Sequence, residues 1–449
     1  MRIIDLFVMG IRNLTRRKAR TSLTIIGVVI GTFSIIIMMS LGIGMTDTYT
    51  KQIMQMGSLT QIDVYIPYRW DESTGRPIES DLKMDDKAVE MIRGIKGVKA
   101  VSPVWERQLK LVYGKAISWL YVRAMDLSVI DQFDMPPLQF GEWPTGPTYE
   151  GVILGQWDGQ FHDPKKWEQV EVDFERDTIK YTFDMMYGEE HWGGQDIDKV
   201  SINFKPQPIK ISGKFAESSK QESYSSYMDI NLLKDMYRQY IRKLPASERK
   251  NAEAEMQQYS GIKVSVNKLK DVGKVEDRLK EMGFQTYSLN DMVREMEKTA
   301  RTLQLILGGI GAVSLLVSAI GIANTMIMSI YERTKEIGIM KVLGCLVTDI
   351  RRMFLFESTL IGFFGGVFGV ILSFVTSFLL NKYGGGIFDS IGGGGYYYGE
   401  QVATKVSIIP FWLVIVALIF SLVVGMLSGY YPARRATKIR ALEALKTAE

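Results

Sequence analysis

The chain has 449 residues, with 54 Lys and Arg against 50 Asp and Glu and a formal charge of +4. Its one cysteine excludes an internal disulfide, so any large water-exposed domain must hold together by its own apolar core. Residues 45–301 carry 36 basic and 41 acidic residues, so the positive excess sits in short stretches beside apolar runs, which excludes a nucleic-acid surface as its explanation.

The first twenty residues, MRIIDLFVMGIRNLTRRKAR, place Ile3, Leu6, Phe7, Gly10, Ile11 and Leu14 on one helical face. The basic residues Arg12, Arg16, Arg17, Lys18 and Arg20 accompany them. This pattern predicts an amphipathic helix over 1–20, lying along the membrane surface. Ser22–Ile43 then carries no Asp, Glu, Lys or Arg. It outruns a signal-peptide core of about 7–15 residues and no small-residue cleavage motif follows, so it reads as an uncleaved first span over 21–44.

Residues 45–300 read as a mixed α/β domain. Alternation predicts strands over Gln61–Tyr65, Val98–Val104, Trp119–Arg123, Val152–Leu154, Ile209–Ile211 and Lys263–Val266. Helical spacing predicts helices over Asp85–Arg93 and Val272–Met282, the second followed by Gly283 and the strand-like Phe284–Tyr287. The stretch 165–208, rich in Trp, Tyr, Asp and Gly, reads as an inserted hairpin or lobe. Met236–Gln258 reads as a polar helical excursion interrupted by Pro245. His162 and His191 have no Cys or nearby His beside them and read as solvated loop residues rather than metal ligands.

Three further uncharged runs follow: Thr302–Tyr331, Ser358–Asn381 and Val406–Tyr431. A helix needs about 20 apolar residues to cross a hydrocarbon core of about 30 Å. A soluble core helix accounts for one such run, not for four that each abut basic residues. The expected fold is therefore an α-helical four-span transmembrane domain with a large inserted α/β extracytoplasmic domain. The spans fall at 21–44, 301–331, 358–381 and 406–431. The helical pattern begins at Leu289, and the uncharged part of the second span alone would extend roughly 45 Å, so this helix tilts or projects outward as a stalk.

Basic residues set the orientation. The first twenty residues hold six Lys and Arg against Asp5 alone. The segment 332–357 holds Arg333, Lys335, Lys341, Arg351 and Arg352, and the tail 432–449 holds Arg434, Arg435, Lys438, Arg440 and Lys446. The Gly-rich loop 382–405 has only Lys382 and Lys405. Both termini and 332–357 are thus expected in the cytoplasm of a cell-membrane protein, with 45–300 and 382–405 outside. That loop is not followed by the Lys-Ser/Thr helix start of a phosphate loop.

The spans contain no charged side chain, which argues against an ion-coupled transporter or a charged channel. They carry closely spaced small residues instead: Gly27 and Gly31, Gly365 and Gly369, Gly425 and Gly429, with Ser314, Ser318, Gly308, Gly309 and Gly311 in the second span. Such spacing lets helix backbones approach in lipid, within one chain or across a dimer face. Asn324 is expected to hydrogen-bond across helices.

Between the second and third spans lies Tyr331–Ser358, YERTKEIGIMKVLGCLVTDIRRMFLFES. It reads as a mixed-charge helix, a break at Gly344 and a second helix entering the third span. A solvated connector would need fewer apolar residues than Ile337–Leu346 holds, so these residues face lipid headgroups or a protein partner.

Here the chain resembles a known family. ERTKEIGIMKVLGC at Glu332–Cys345 is similar to the E-R-T-x-E-I-G-I-x-x-x-x-G-A signature of MacB/FtsX-type ABC transporter permeases, with Cys345 where Ala is usual. IRNLTRRKARTSLTIIGVVIG at Ile11–Gly31 resembles that family's basic entry and Gly-spaced first helix. GYYPARRATKIRALEALK at Gly429–Lys446 resembles its P-A-R-x-A-x-x-x-x-P-x-x-A-L ending, with Ala441 where Pro is common. The three blocks cover the membrane half; the outer domain matches in position and α/β character only.

The resemblance implies a permease that moves its outer domain by mechanotransmission while a partner hydrolyses ATP. Glu332, Arg333, Thr334, Lys335, Glu336, Ile337, Gly338, Lys341 and Gly344 would then form the ATPase-coupling helix, with Arg434–Lys438 assisting. Two copies of an ABC ATPase subunit and a second permease copy or paralogue are the implied partners, with an adaptor protein as a further candidate. No G-x-x-x-x-G-K-[ST] occurs in the chain, so ATP and Mg are expected on a separate subunit and this chain is expected to be neither an enzyme nor a cofactor binder. Export of peptides, antibiotics or similar amphiphiles is the leading expectation. An FtsX-like transmitter controlling cell-wall hydrolases and a lipoprotein-releasing permease are the alternatives.

Overall fold

The structure, a computed structural model, describes residues 9, 12, 18–67, 69–71, 76–78, 82–146, 148–188, 191–192, 195–196, 204–384 and 405–438. Most of the amphipathic segment expected over 1–20, the body of the Gly-rich loop, the tail beyond 438 and part of the 165–208 insertion lie outside the described residues. In chain order the helices are α1 (Lys18–Met56), α2 (Asp86–Arg93), α3 (Ile230–Ile241), α4 (Ala246–Met256), α5 (Leu269–Glu281), α6 (Leu289–Glu332), α7 (Thr334–Val342), α8 (Val347–Tyr383) and α9 (Phe411–Lys438). The described residues up to Thr50 and from Glu295 onward form one compact unit, and Lys51–Arg294 form the core of another. Helices α1 and α6 contribute residues to both.

The first unit is a bundle of α1, α6, α8 and α9, all long and apolar enough to cross a membrane, as the four uncharged runs foretold. Glycines set how these helices pack. A Cβ on Gly27 would meet Ser318 Oγ at 3.3 Å, and one on Gly31 would meet Leu315 Cγ at 2.7 Å, both on α6. On α8, a Cβ on Gly365 would meet Val28 Cβ of α1 at 2.5 Å, and one on Gly369 would meet Thr32 Cβ at 2.9 Å. Along the other seam, a Cβ on Gly425 of α9 would meet the Ser358 carbonyl of α8 at 2.7 Å, and one on Gly429 would meet Ser358 Oγ at 2.0 Å. These glycines therefore serve contacts within the chain. Gly308, Gly309 and Gly321 meet nothing within 4 Å.

Hydroxyls add to the same interfaces. Ser318 Oγ donates to the Gly27 carbonyl at 2.6 Å, and Thr24 Oγ1 and Thr325 Oγ1 share a hydrogen bond of 2.8 Å. Asn324 is exposed, and the cross-helix bond expected of it falls on the next residue, because one residue rotates the side chain by about 100° around the helix. Asn381 donates to the Ser407 carbonyl at 2.8 Å and accepts from its N–H at 2.9 Å, fixing the extended entry to α9.

These contacts predict an asymmetric result. Gly425→Val pushes against a backbone carbonyl and is expected to lower the thermal stability of the detergent-solubilised chain by about 1–3 kcal/mol, the usual cost of overpacking. Gly308→Val should leave stability within about 0.5 kcal/mol. Equal effects in a melting assay would refute this packing scheme.

The second unit is the α/β domain. The strands along the main path of its sheet, in chain order, are β1 (Gln61–Tyr65), β2 (Val98–Tyr113), β3 (Ala116–Met125), β4 (Leu138–Gly141), β5 (Val152–Leu154), β6 (Ile211–Phe215), β7 (Ser226–Asp229), β8 (Gly261–Val266) and β9 (Gln285–Tyr287). They lie side by side as β9-β1-β8-β2-β3-β7-β5-β6-β4. The β3–β7 and β5–β6 pairs are parallel and the rest antiparallel.

Strand β2 joins two cores. Its first half pairs with β8, and its second half pairs with β3. On the first side, Ile62, Val64, Ile262 and Val264 pack on Val89 and Ile92 of α2 and Val272, Val275 and Leu279 of α5. Asp85 caps α2 by accepting from Ala88 N–H at 3.1 Å. Gly283, at φ +91°, supplies the left-handed residue that ends α5 before β9. On the second side, Trp105, Leu109, Leu120, Val122 and Leu154 pack with Leu233 and Tyr237 of α3. Asp229 caps α3, and Pro245 precedes α4, so the expected polar excursion is two separate helices.

The opposite face of β1 and β8 is polar and still buried. Lys263, 2% exposed, lies 3.2 Å from Asp63 Oδ1 and 3.1 Å from Glu222 Oε1. Burial pushes its pKa down, but the charges of Asp63 and Glu222 outweigh that and hold it above the ordinary lysine value.

Two expectations change here. Within the 165–208 insertion, Lys180–Thr182 pairs with β2 and with Gln207–Pro208, so this part extends the main sheet rather than standing apart. His162 is not a solvated loop residue: its ring lies between those of Trp119 and Trp167, at 4.9 and 5.0 Å.

Candidate functional site

The site follows from how the sequence interrupts a long helix. At Arg333 the backbone (φ −106°, ψ 15°) leaves the helical region, and Thr334 Oγ1 donates back to the carbonyls of Ile330 and Tyr331 at 3.1 and 2.8 Å. Helix α7 then runs to Val342. Gly344 stops it at φ +86°, a conformation costly for a residue with a Cβ. The Cys345 N–H donates to the Met340 carbonyl at 2.9 Å and closes the turn.

One face of α7 is built into the bundle. Ile337 is fully buried in a cluster with Ile350, Met353 and Phe354 of α8 and Ala433 and Ala436 of α9. Gly338 beside it is also buried. Arg333 pairs with Glu336 at 3.1 Å and with the buried Glu357 of α8 at 3.5 Å, and lies over the Phe354 ring. Glu332, at the end of α6, accepts from Arg20 of α1 at 3.3 Å. Lys341 Nζ donates to the Thr437 carbonyl of α9 at 2.8 Å, and Arg435 donates to Tyr331 Oη at 3.0 Å. The segment thus grips α1, α8 and α9 together.

The other face is open and apolar. Ile339 is 43% exposed, Val342 64%, Leu343 80%, Leu346 66% and Val347 51%. Ile339, Val342 and Leu343 lie three and four residues apart on one side of the end of α7, and Leu346 and Val347 follow in the turn into α8. A cluster of large apolar side chains exposed outside the membrane spans marks a surface that lipid headgroups or a partner covers.

The residues singled out from the sequence divide between these faces. Lys335, Glu336 and Gly344 lie on exposed positions, whereas Glu332, Arg333, Thr334 and Lys341 are half-buried and Ile337 and Gly338 buried. The charged motif chiefly fastens the helix. The exposed surface belongs to Ile339, Val342, Leu343 and Leu346, within the apolar stretch Ile337–Leu346 that the sequence marks as facing headgroups or a partner, and to Val347 beyond it. Gly27, Gly31, Gly365, Gly369, Gly425 and Gly429 are positioned as described for the bundle.

Comparison with known proteins covers the same regions. A family model described as FtsX-like permease C-terminal matches residues 308–441, which include α7, and one described as MacB-like periplasmic core domain matches residues 21–156. Over 99% of its length the chain is 28% identical to an uncharacterized ABC transporter permease of Methanocaldococcus jannaschii, covering 98% of that protein. It is 36% identical to the ABC transporter permease YtrF of Bacillus subtilis over 42% of each chain. It is also 25% identical to the macrolide export ATP-binding/permease protein MacB of Bdellovibrio bacteriovorus over 97% of its own length, and it spans 61% of that relative.

Proposed function

Since the chain belongs to the MacB/FtsX-type ABC transporter permeases, we propose that it converts ATP hydrolysis by a separate ATPase subunit into movement of its extracytoplasmic α/β domain. The work served is export or extrusion of peptides, antibiotics or similar amphiphiles. The observation that carries this reading is α7, apolar on its open side and packed on α8 and α9 on the other. An ATPase seated on Ile339, Val342, Leu343, Leu346 and Val347 would move the bundle with it. The basic residues of the N-terminal segment, of 332–357 and of the tail favour a cytoplasmic position for α7 and both termini, where ATP is available.

Helix α6 supports the second half of the proposal. Its 44 residues extend about 66 Å, and they are shared between the membrane unit and the α/β unit without a break. A continuous helix transmits displacement far better than a linker. Two ATPase copies and a second permease copy complete the machine in this reading.

The test is co-expression with an ABC ATPase encoded beside it, followed by purification in detergent. A complex that survives gel filtration and hydrolyses ATP faster than the free ATPase is expected. Absence of a complex with ATP, with ADP and with a trapped nucleotide would overturn the proposal.

A further inference from the structure

The α/β unit carries a cleft of about 350 Å³ beside the stacked rings of Trp119, His162 and Trp167. That volume lies at the lower end of the range for small-molecule sites, about 300–1,000 Å³. Trp157 and Trp167, 46% and 69% exposed, offer indole surface at its mouth, while Ser118, Gln160 and Gln169 supply neutral polar groups. His162 Nε2 is buried and has no hydrogen-bond partner among the described residues. Among the described residues no Asp, Glu, Lys or Arg lines the cleft.

The platform is built in advance. Trp167 holds φ +58°, uncommon for any residue with a Cβ and more so for a bulky one. Its N–H donates to the Asp163 carbonyl at 2.7 Å, and Asp163 Oδ1 accepts from the N–H groups of Lys165 and Lys166 at 2.8 and 3.3 Å. Asp163 N–H in turn donates to the Glu168 carbonyl at 3.0 Å. A strained, over-determined turn that presents an exposed indole points towards function rather than packing. On the inner side the stack is closed, because the buried Lys110 ammonium lies 5.4 Å from the centre of the Trp119 ring.

We propose that this cleft binds a neutral saccharide, with a sugar ring laid on Trp167 and Trp157. Sugar C–H groups carry slight positive charge and suit the negative face of an indole. Sugar hydroxyls both donate and accept, as the two glutamine amides, Ser118 and the unpartnered His162 nitrogen require. A charged ligand would be desolvated here without a counter-ion.

The experiment is calorimetric titration of the full chain in detergent with maltotriose, cellotriose and chitotriose, and with tetramethylammonium as a cationic probe. Saturable binding of at least one saccharide is expected, weakened about fivefold or more by Trp167→Ala and largely retained by Trp167→Phe, which keeps a ring in place. The Trp157→Ala chain should also bind more weakly. The proposal is overturned if no saccharide binds saturably or if binding is unchanged in the Trp157→Ala, Trp167→Ala double variant. Saturation by tetramethylammonium alone would overturn it too.

Discussion

A permease carrying Leu343→Asp is expected to bind its ATPase subunit about ten- to a hundredfold more weakly and to lose most ATPase stimulation. Leu343 is 80% exposed and touches little within its own chain, so the substitution leaves the fold intact. On docking, a leucine that becomes fully covered contributes about 1.5–3 kcal/mol, and each 1.4 kcal/mol is about a factor of ten in affinity. An aspartate there would in addition be buried without a partner. Titrating the ATPase with permease in lipid nanodiscs measures the change. Leu343→Met should behave almost as wild type. Stimulation that stays within twofold of wild type in the Asp variant would remove α7 from the docking surface.

The second large effect concerns folding. Lys263→Met leaves Asp63 and Glu222 facing each other beneath the sheet without their cation. Removing one partner of a buried ion pair costs about 3–5 kcal/mol, which for a unit of this size is a fall of roughly 6–20 °C in melting temperature. Adding Glu222→Gln should recover part of the loss, because it removes one of the stranded charges. A melting temperature within 2 °C of wild type would show that the cluster is not what holds β1 and β8 to the 3₁₀ turn at Gln221–Tyr224. The pH dependence has a definite sign. A lysine with a raised folded pKa contributes fully below its unfolded value, about 10.4, and loses that contribution as pH climbs through the folded value. Lys263 therefore stabilises the domain evenly across neutral pH and fails only in strong alkali.

How much of this was legible in the residues depended on which force dominated locally. The four membrane helices stood out because bilayers demand long uncharged runs, and Ser22–Ile43 or Ser358–Asn381 admit few other readings. Strand β1 and the helix capped by Asp85 were visible for similar reasons, since alternation and capping are local. The full length of β2 was not. Glu106, Arg107 and Lys110 interrupt its pattern, yet Arg107 stacks on Trp105 at 4.6 Å and Lys110 is wholly buried, donating to the Tyr187 carbonyl. Burial of that kind is set by distant partners and leaves no periodic trace. The parallel pairing of β3 with β7 was hidden likewise, because the two strands lie about a hundred residues apart in sequence.

The candidate coupling residues divide by their surroundings. Glu332, Arg333 and Lys341 drew notice by their charge, and their charge is spent on Arg20, Glu357 and the Thr437 carbonyl. Side chains that fasten a helix and side chains that meet a partner are equally prominent in a motif, and only the three-dimensional arrangement separates them. Glu336 is exposed and pairs with Arg333 along its own turn, so Glu336→Lys tests whether this end of α7 meets an ATPase.

The turn after α7 has a practical side. Cys345 is the one thiol in the chain, and it lies between the exposed Leu343 and Leu346, partly sheltered by the cluster around Ile337. A spectroscopic label attached there would report from the docking surface of an otherwise unaltered sequence. In a paired assembly each copy would bear a single probe, so one electron-resonance distance measured through the ATP cycle would follow how far the two docking surfaces separate at each step.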